Sequence, residues 1–327
     1  MDKPTFNSTI ILPLKEKPLE AASQITSTAA GWNLKLTYDG EVPVIQKIQR
    51  ATIQFLNLLK EGNAKHLAAA FAHDAFLRTK AINYLKFNHP RPLDDSIQAR
   101  INKTALGYEL RRVRVLHRYP SLHKQSTEYL VLDFDHDGNL IDLNTSISEN
   151  LYQNFVQQSQ FGKDWKERQT IIKFVEKYRT AYLVRDLQTI NLMFADDALI
   201  IVGRKIEHKK LPKDVVRYQR FEKQPDYQYI RLTKEKYLQR LQRVFEAQQD
   251  IFLNYGSFRM IRKNNVKGVY GVEMRQSYHS TTYSDEGYLF LLIDFSEADP
   301  LIYVRAWQPN EWNDSVLVRT ANFRIYK

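Results

Sequence analysis

The chain contains no cysteine among its 327 residues, and this absence excludes several classes of site. Without thiols the chain forms no disulfide, no thiolate-bound metal centre and no cysteine nucleophile. Glycine is scarce, with 11 residues that nowhere cluster as in phosphate-binding loops. There is no Gly-x-Ser-x-Gly element, and the histidines lack the spacing typical of zinc ligands. These absences favour a binding module over an enzyme.

Long apolar runs are also missing. The longest, such as Tyr288–Ile293, have the length of a strand, whereas a membrane helix needs about 20 apolar residues. Met1–Pro4 begins no apolar signal core, and Ile10–Leu14 is too short and contains proline. The chain as given is therefore expected in the cytoplasm, and an exported protein whose signal was removed is the alternative.

The most informative feature that is present is a repeated element. Phe71–Leu77 reads Phe-Ala-x-Asp-Ala followed by two apolar residues, and Phe194–Ile200 repeats this pattern 123 residues later. Internal repeats of this kind indicate repeated structural units. Since domains usually run about 100–200 residues, the sequence predicts two similar domains in tandem.

Hydrophobic periodicity predicts the elements of each half. In the first half we expect a strand at Trp32–Tyr38, a helix over Val44–Leu59, a short helix through Ala68–Phe71, a strand start at Asp74–Leu77, a helix over Leu93–Leu106, a strand at Tyr108–Arg118 and a hairpin over Glu128–Leu143. In the second half we expect helices over Ile171–Tyr182, Asp186–Phe194 and Leu232–Ala247, and strands at Ala198–Gly203, Phe258–Lys263, Val269–Tyr278, Gly287–Phe295 and Leu301–Gln308. Further strands are expected at Thr9–Leu14 and Asn322–Tyr326. Helices segregated on one face of long antiparallel strands predict an α+β fold.

The second half resembles the nuclear-transport-factor-two-like (NTF2-like) superfamily. The matching residues are Ile172, Phe174, Tyr178, Ala181 and Tyr182, then Arg185-Asp186-Leu187 and Phe194–Ala198; the first half matches less closely from Ile53 and Phe55 to Phe71–Leu77. The resemblance implies two cone-shaped domains, each a long helix packed on a curved antiparallel sheet. The expected limits are a lead-in at 1–40, a degenerate first cone at 41–147, a helical connector at 148–166, and a second cone at 167–327 with a basic helical insertion at 204–247.

The second half is also similar to uncharacterised envelope proteins of Bacteroidetes-type bacteria. The segments that carry this resemblance are Tyr283–Phe290 and Val304–Pro309. It implies a periplasmic or cell-envelope location if a signal was removed. The absence of catalytic motifs and the local positive charge of the second half lead us to expect a non-catalytic binding or scaffolding role. Whether the chain is a monomer or a dimer is left open.

Basic residues concentrate in the insertion. From Arg204 to Arg243 there are 13 Lys and Arg against 5 Asp and Glu, a net charge of +8. Such a surface suggests a protein or anionic envelope partner, contacted through Arg217, Arg220, Arg231 and Arg240. The alternatives are a merely solvated insertion and nucleic-acid binding, which is the least favoured because no nucleic-acid motif accompanies the arginines.

The mouth of the second cone is a candidate pocket for a small molecule. Tyr178 and Tyr182 share a helix face, Asp197 begins a strand, and Arg204 follows. A carboxylate with a shifted pKa in such a cleft would permit acid–base or hydrolytic chemistry. Since Asp74 holds the same repeat position as Asp197, a structural role is the competing interpretation.

Asp133-Phe-Asp135-His-Asp137-Gly138 reads like the first half of a calcium loop. Its twelfth position is Asn144 rather than the bidentate glutamate, and its flanks are strand-like. Asp-Gly is the favoured pair of a tight hairpin turn. The sequence therefore predicts a turn in preference to a calcium site at Asp133, Asp135 and Asp137, and no other cofactor.

Overall fold

A computed structural model describes residues 23–29, 31–38, 42–147, 152, 165–205, 227–262 and 266–309. These residues form two β-sheets with helices packed on them, which confirms the predicted α+β fold of two cones. The predicted strands at Thr9–Leu14 and Asn322–Tyr326 and most of the connector at 148–166 lie outside the described residues. The domain limits therefore stay predictions.

The first sheet belongs to the first half of the chain. Its strands are β1 (Ser23–Ala29), β2 (Trp32–Tyr38), β3 (Arg91–Pro92), β4 (Ser96–Thr104), β5 (Gly107–Tyr119), β6 (Lys124–Phe134) and β7 (Leu140–Thr145). The order is β1–β2–β4–β5–β6–β7, with β3 paired to β5. Neighbours are antiparallel except for β2 and β4, which are parallel. Three helices pack on this sheet: α1 (Val42–Glu61), α2 (Ala64–Ala70) and α3 (Ala75–Asn88).

Apolar periodicity explains the first core. Strand β2 buries every second residue, from Trp32 to Tyr38, as a period of two requires. Helix α1 buries a stripe at spacings of three and four residues, which includes Ile45, Ile48 and Phe55. Fully burying each such side chain stabilises the fold by about 1.5–3 kcal/mol. The predicted strand and helix are both confirmed here.

Two predictions for the first half are wrong. Asp74–Leu77 starts a helix, because the Asp74 carboxylate caps α3 and accepts a hydrogen bond from Leu77 N at 2.9 Å. Leu93–Leu106 is not a helix, because β4 runs through it and buries Ile97, Ala99 and Ile101 on alternate positions.

The second sheet follows the prediction more closely. Its strands are β8 (Phe194–Lys205), β9 (Tyr227–Leu232), β10 (Ile251–Arg262), β11 (Val269–Ser280), β12 (Ser284–Asp294) and β13 (Leu301–Gln308), in the order β10–β11–β12–β13–β8–β9. The pair β13–β8 is parallel and the other pairs are antiparallel. The helices are α4 (Trp165–Leu183), α5 (Leu187–Met193) and α6 (Lys234–Ala247). Thr233 caps α6, and a bulge interrupts the register of β10 between Gly256 and Phe258.

Helix α4 contacts both sheets. Its apolar side packs into the core of the second sheet, through residues such as Val175 and Tyr178. Its buried Arg179 donates to Glu128 Oε2 on β6 at 2.9 Å and to the Leu253 carbonyl on β10 at 2.9 Å. Helix α4 therefore has hydrogen bonds to β6 of the first sheet and to β10 of the second sheet. No helix among the described residues is long and apolar enough to cross a membrane.

Candidate functional site

Tyrosine hydroxyls meet inside the second cone. Tyr178 and Tyr182 lie one turn apart on α4, and their hydroxyl oxygens are hydrogen bonded at 3.0 Å. The Tyr182 hydroxyl also contacts that of Tyr237 on α6. Burial raises the pKa of Tyr178 and Tyr182, so both phenols stay protonated at neutral pH. The sequence predicted these two α4 residues as pocket residues; they lie side by side, and Tyr178 is fully buried.

Arg305 on β13 completes this cluster. Its Nε donates to the Tyr178 hydroxyl at 3.1 Å, and its guanidinium lies over the Tyr237 ring, 5.2 Å from the centroid. The side chain is buried, with 8% of the residue exposed, and its Nη1 has no hydrogen-bond partner among the described residues. Sequence reasoning missed Arg305, although a lone charge between apolar residues of a strand was a usable signal.

Other buried arginines have carboxylate partners. Arg111 forms a two-point ion pair with Glu176, at 2.5 and 3.0 Å, and Arg179 pairs with Glu128 at 2.9 Å. For Arg305, the direct partners in the described part of the chain are the Tyr178 hydroxyl and the Tyr237 ring, and the Asp285 carboxylate acts on it electrostatically without forming an ion pair. A buried charge is normally paired because desolvating it alone costs several kcal/mol. The lack of such a pair therefore marks Arg305 as a candidate binding residue.

Two adjoining cavities reach Arg305. The inner cavity, of about 320 Å³, lies among tyrosines that include Tyr182, Tyr237 and Tyr255. The outer cavity, of about 970 Å³, extends along β8, β9 and β13. Both are lined by Arg305 and Asp285, together with Tyr237, Leu241, Val244, Gln276, Thr282 and Tyr283. Arg305 and Asp285 therefore both lie where the two cavities adjoin.

Asp285 on β12 is the carboxylate of this site. Burial raises its pKa, whereas hydrogen bonds from Tyr283 and Gln276 and the charge of Arg305 act in the opposite direction. One of its oxygens, Oδ1, is buried and has no hydrogen-bond partner among the described residues. The site thus places the permanent charge of Arg305 near a carboxyl group whose pKa is raised. Sequence reasoning missed Asp285 as well.

Trp307 forms part of the floor of the outer cavity. Glycines occupy the neighbouring strands at its sides, Gly203 on β8 and Gly287 on β12. A Cβ atom at either glycine would lie within 3.0 Å of the indole ring. The indole therefore lies over the backbone of both neighbouring strands, and only glycine leaves room for it there. One face of the ring is thereby held against the sheet.

Of the remaining predicted pocket residues, Asp197 is the one whose side chain is described. Asp197 is exposed on β8. Arg204 pairs with Gln228 through the register of β8 and β9, and its side chain lies outside the described residues. The structure therefore assigns Asp197 no place beside Tyr178.

The predicted partner residues are described only in part. Arg231 and Arg240 are exposed, and Arg240 lines the outer cavity. Arg217 and Arg220 lie outside the described residues. The partner surface therefore stays a prediction.

The acidic hairpin contains a hydrogen-bonded turn. Asp135 Oδ1 accepts from Asp137 N at 3.0 Å and from Asn139 N at 2.8 Å, and Gly138 takes a positive φ of 79°. Asp133 instead faces Lys173, with 2.9 Å between Oδ1 and Nζ. In the described ranges no group of three His, Cys, Asp or Glu residues is arranged to hold a metal ion. The hairpin prediction is confirmed, and Asp133 and Asp135 have separate partners.

Comparison with known proteins gives structural neighbours only. No protein-family model matches the chain, and no curated protein matches it. A Bdellovibrio bacteriovorus structure is 12% identical with a TM-score of 0.33, and the match covers 54% of this chain and 46% of that one. An NTF2-like protein from Cytophaga hutchinsonii is 10% identical with a TM-score of 0.32, covering 44% of this chain and 98% of that one. An NTF2-like protein of unknown function from Pseudomonas putida is 9% identical with a TM-score of 0.30, covering 45% and 88%. The solved structures thus include NTF2-like proteins, as the resemblance predicted.

Proposed function

We propose that the second cone is a small-molecule-binding domain that captures an organic anion through Arg305. The observation that carries the proposal is a buried guanidinium with an unsatisfied N–H group and no ion pair among the described residues. A carboxylate or similar group of a ligand would supply the missing acceptor and the missing opposite charge. The two adjoining cavities offer the volume for the rest of such a molecule.

The surrounding groups suit binding better than catalysis. The neighbouring phenols stay protonated at neutral pH, so they are hydrogen-bond donors and acceptors rather than bases. The Tyr178 hydroxyl holds Arg305 in place from the side opposite its unsatisfied nitrogen, which preorganises the guanidinium for a ligand. We therefore assign no catalytic residue.

The experiment measures binding of four simple probes to the full chain by isothermal titration calorimetry. The probes are octanoate and 2-naphthoate, together with their neutral amides. We expect at least one acid to bind and both amides to bind at least tenfold more weakly, because only an acid places a full negative charge beside Arg305. Native mass spectrometry of gently purified protein would add the mass of any ligand that copurifies.

Arg305→Met is the decisive variant, and Arg118→Met is its control. Both remove one positive charge, but Arg118 is exposed on β5 in the first sheet. Arg305→Met is expected to lose acid binding, whereas Arg118→Met should bind as the native protein does. If the acids bind equally well to both variants, or bind no better than the amides, the proposed role of Arg305 is wrong.

The basic insertion favours a second role at the surface of the same domain. Exposed Arg231 and Arg240 belong to a stretch with a net charge of +8, which suits a protein or anionic envelope partner and would also steer anions toward the cavity. We propose this scaffolding role in the bacterial cell envelope as the alternative function. Reversing Arg217, Arg220, Arg231 and Arg240 to glutamate should abolish partner capture without unfolding, and unchanged capture would contradict it.

A further inference from the structure

The site at Arg305 contains a second group with an unpartnered polar atom, the carboxyl group of Asp285. We infer that the preferred ligand is an amino acid, whose carboxylate binds Arg305 while its ammonium group binds Asp285. This inference rests on the proposed function and adds the chemical class of the ligand. A simple anion would satisfy Arg305 but would leave the free oxygen of Asp285 without a donor.

The two unpartnered atoms of this site are opposite in character. Arg305 Nη1 is a donor and Asp285 Oδ1 is an acceptor, and neither has a hydrogen-bond partner among the described residues. A buried donor or acceptor that stays unpaired is costly, and the cost is larger for a charged group. An amino acid supplies an acceptor for the first atom and a donor for the second.

Both groups lie at the same cavities. Arg305 and Asp285 line the inner and the outer cavity, and Asp285 is only half-buried. Burial raises the pKa of Asp285 and the charge of Arg305 opposes that rise, so the two side chains are close enough to interact. No ion pair joins them in the part of the chain that the structure describes, and both charges are therefore available to one ligand.

The charge balance of the site also favours a zwitterion. Arg305 is positive, and Asp285 is negative once the pH exceeds its raised pKa, so the free site is nearly neutral at that pH. A simple carboxylate adds a negative charge near Asp285, whereas an amino acid adds no net charge. Repulsion between like charges therefore opposes the first ligand and not the second.

The outer cavity suits an apolar side chain on that amino acid. Its walls include half-buried aliphatic residues of β8, β9 and α6, namely Val202, Ile230, Leu232 and Val244. An apolar group that covers these side chains removes their remaining surface from water, which favours binding. The expected ligand is therefore an amino acid with an apolar side chain.

The test measures three probes on the full chain by isothermal titration calorimetry at pH 7. Octanoate and 2-aminooctanoate share the carboxylate and the alkyl chain and differ in the ammonium group, whereas heptylamine has the ammonium group and no carboxylate. We expect 2-aminooctanoate to bind at least tenfold more tightly than octanoate, because it adds a charge-assisted hydrogen bond. Heptylamine should bind more weakly than both acids, because it leaves Arg305 unpaired.

Asp285→Asn is the decisive variant, and Asp299→Asn is its control. Both remove one negative charge from the same half of the chain, but Asp299 is exposed between β12 and β13 and lines neither cavity. Asp285→Asn should bind octanoate more tightly, because repulsion is removed, and 2-aminooctanoate more weakly, so the order of the two probes reverses. Octanoate binding also shows that the variant is folded. Asp299→Asn should keep the native order.

The outcomes separate this inference from the proposed function. If octanoate binds the native protein as tightly as 2-aminooctanoate does, the amino-acid inference is wrong and the anion site stands. A preference for 2-aminooctanoate that survives in Asp285→Asn has the same meaning, because the ammonium group then has another partner. If neither acid binds, the proposed function and this inference both fail. Tighter binding of heptylamine than of both acids would show a cation site and would also overturn both.

Discussion

Replacing Arg305 with methionine should leave the unliganded protein nearly as stable as the native chain or more stable. The substitution removes one charge-assisted hydrogen bond to Tyr178, of about 1.5–3 kcal/mol, and one cation–π contact to Tyr237, of about 0.5–2 kcal/mol. It also removes the desolvation penalty of a buried ion, which is several kcal/mol. These contributions roughly cancel, so the expected change in the free energy of unfolding is within about 1 kcal/mol of zero.

Arg179→Met is the matched comparison and should behave differently. Both arginines are buried, but Arg179 is paired with Glu128 and also donates to two backbone carbonyls. Removing it leaves the carboxylate buried without its partner, which typically costs about 3–5 kcal/mol. The two variants should therefore differ by about 3 kcal/mol although the chemical change is the same.

Urea unfolding followed by circular dichroism measures both changes. Equal slopes of the unfolding transition would show that the variants unfold to comparable states, which the comparison requires. If Arg305→Met loses 3 kcal/mol or more, as Arg179→Met does, then the guanidinium stabilises the fold through a partner such as Asp285. That result would remove the argument that Arg305 awaits an external anion.

Three further predictions concern titration and capping. Asp285→Asn should be more stable than the native protein at pH 7 but equally stable below pH 3.8. Burial raises the pKa of Asp285, so the protonated carboxyl is favoured in the folded protein, and this contribution to stability is lost as the pH rises through that pKa. Denaturation of both proteins at the two pH values measures the difference. Burial lowers the pKa of His117 to about 4, so the unfolded chain takes up this proton at a higher pH than the folded protein does. Between pH 6.5 and 4 the free energy of unfolding of the native protein should therefore fall by about 3 kcal/mol more than that of His117→Gln. Parallel pH profiles of the two proteins would contradict this. Asp74→Ala should lower the free energy of unfolding by about 1 kcal/mol through loss of the α3 cap. Asp197→Ala, at the same repeat position but exposed on β8, should change it by less than about 0.5 kcal/mol. Equal effects of the two substitutions would show that the repeat position has one role in both halves.

The elements that sequence patterns predicted well are those with an unambiguous period. The stripe of α1 and the alternation of β2 each fit one template only, and both elements form where expected. The error at Asp74–Leu77 arose because one repeated sequence pattern has two structural outcomes. Asp74 and Asp197 occupy the same place in the repeat, yet one caps a helix and the other lies exposed on a strand. Tertiary context, which a single sequence does not contain, decides between these outcomes.

The site was predictable only where its residues share one helix. Tyr178 and Tyr182 are four residues apart, and helical spacing places them side by side. Arg305 and Asp285 come from β13 and β12, and their approach depends on strand order and register. The sequence shows that Arg305 lies inside an apolar strand. It does not show which strand lies next to β13 or whether a carboxylate forms an ion pair with Arg305.

The pairing of buried charges separates the two roles that arginine has in this fold. Where α4 contacts the first sheet, Arg111 and Arg179 are each matched by a glutamate, so their charges are neutralised within the chain and join its halves. At the wall of the second cone, a hydroxyl and an aromatic ring hold Arg305, and its charge is not neutralised by an ion pair among the described residues. Two buried arginines are thus neutralised within the chain, whereas the third lies beside a cavity. The desolvation free energy of Arg305 is therefore not offset by an ion pair, and an external anion would offset it. The stability comparison and the binding assay therefore both test whether the charge of Arg305 is unpaired in the free protein. For the anion site to be correct, Arg305→Met must lose acid binding and must also keep a free energy of unfolding close to that of the native protein.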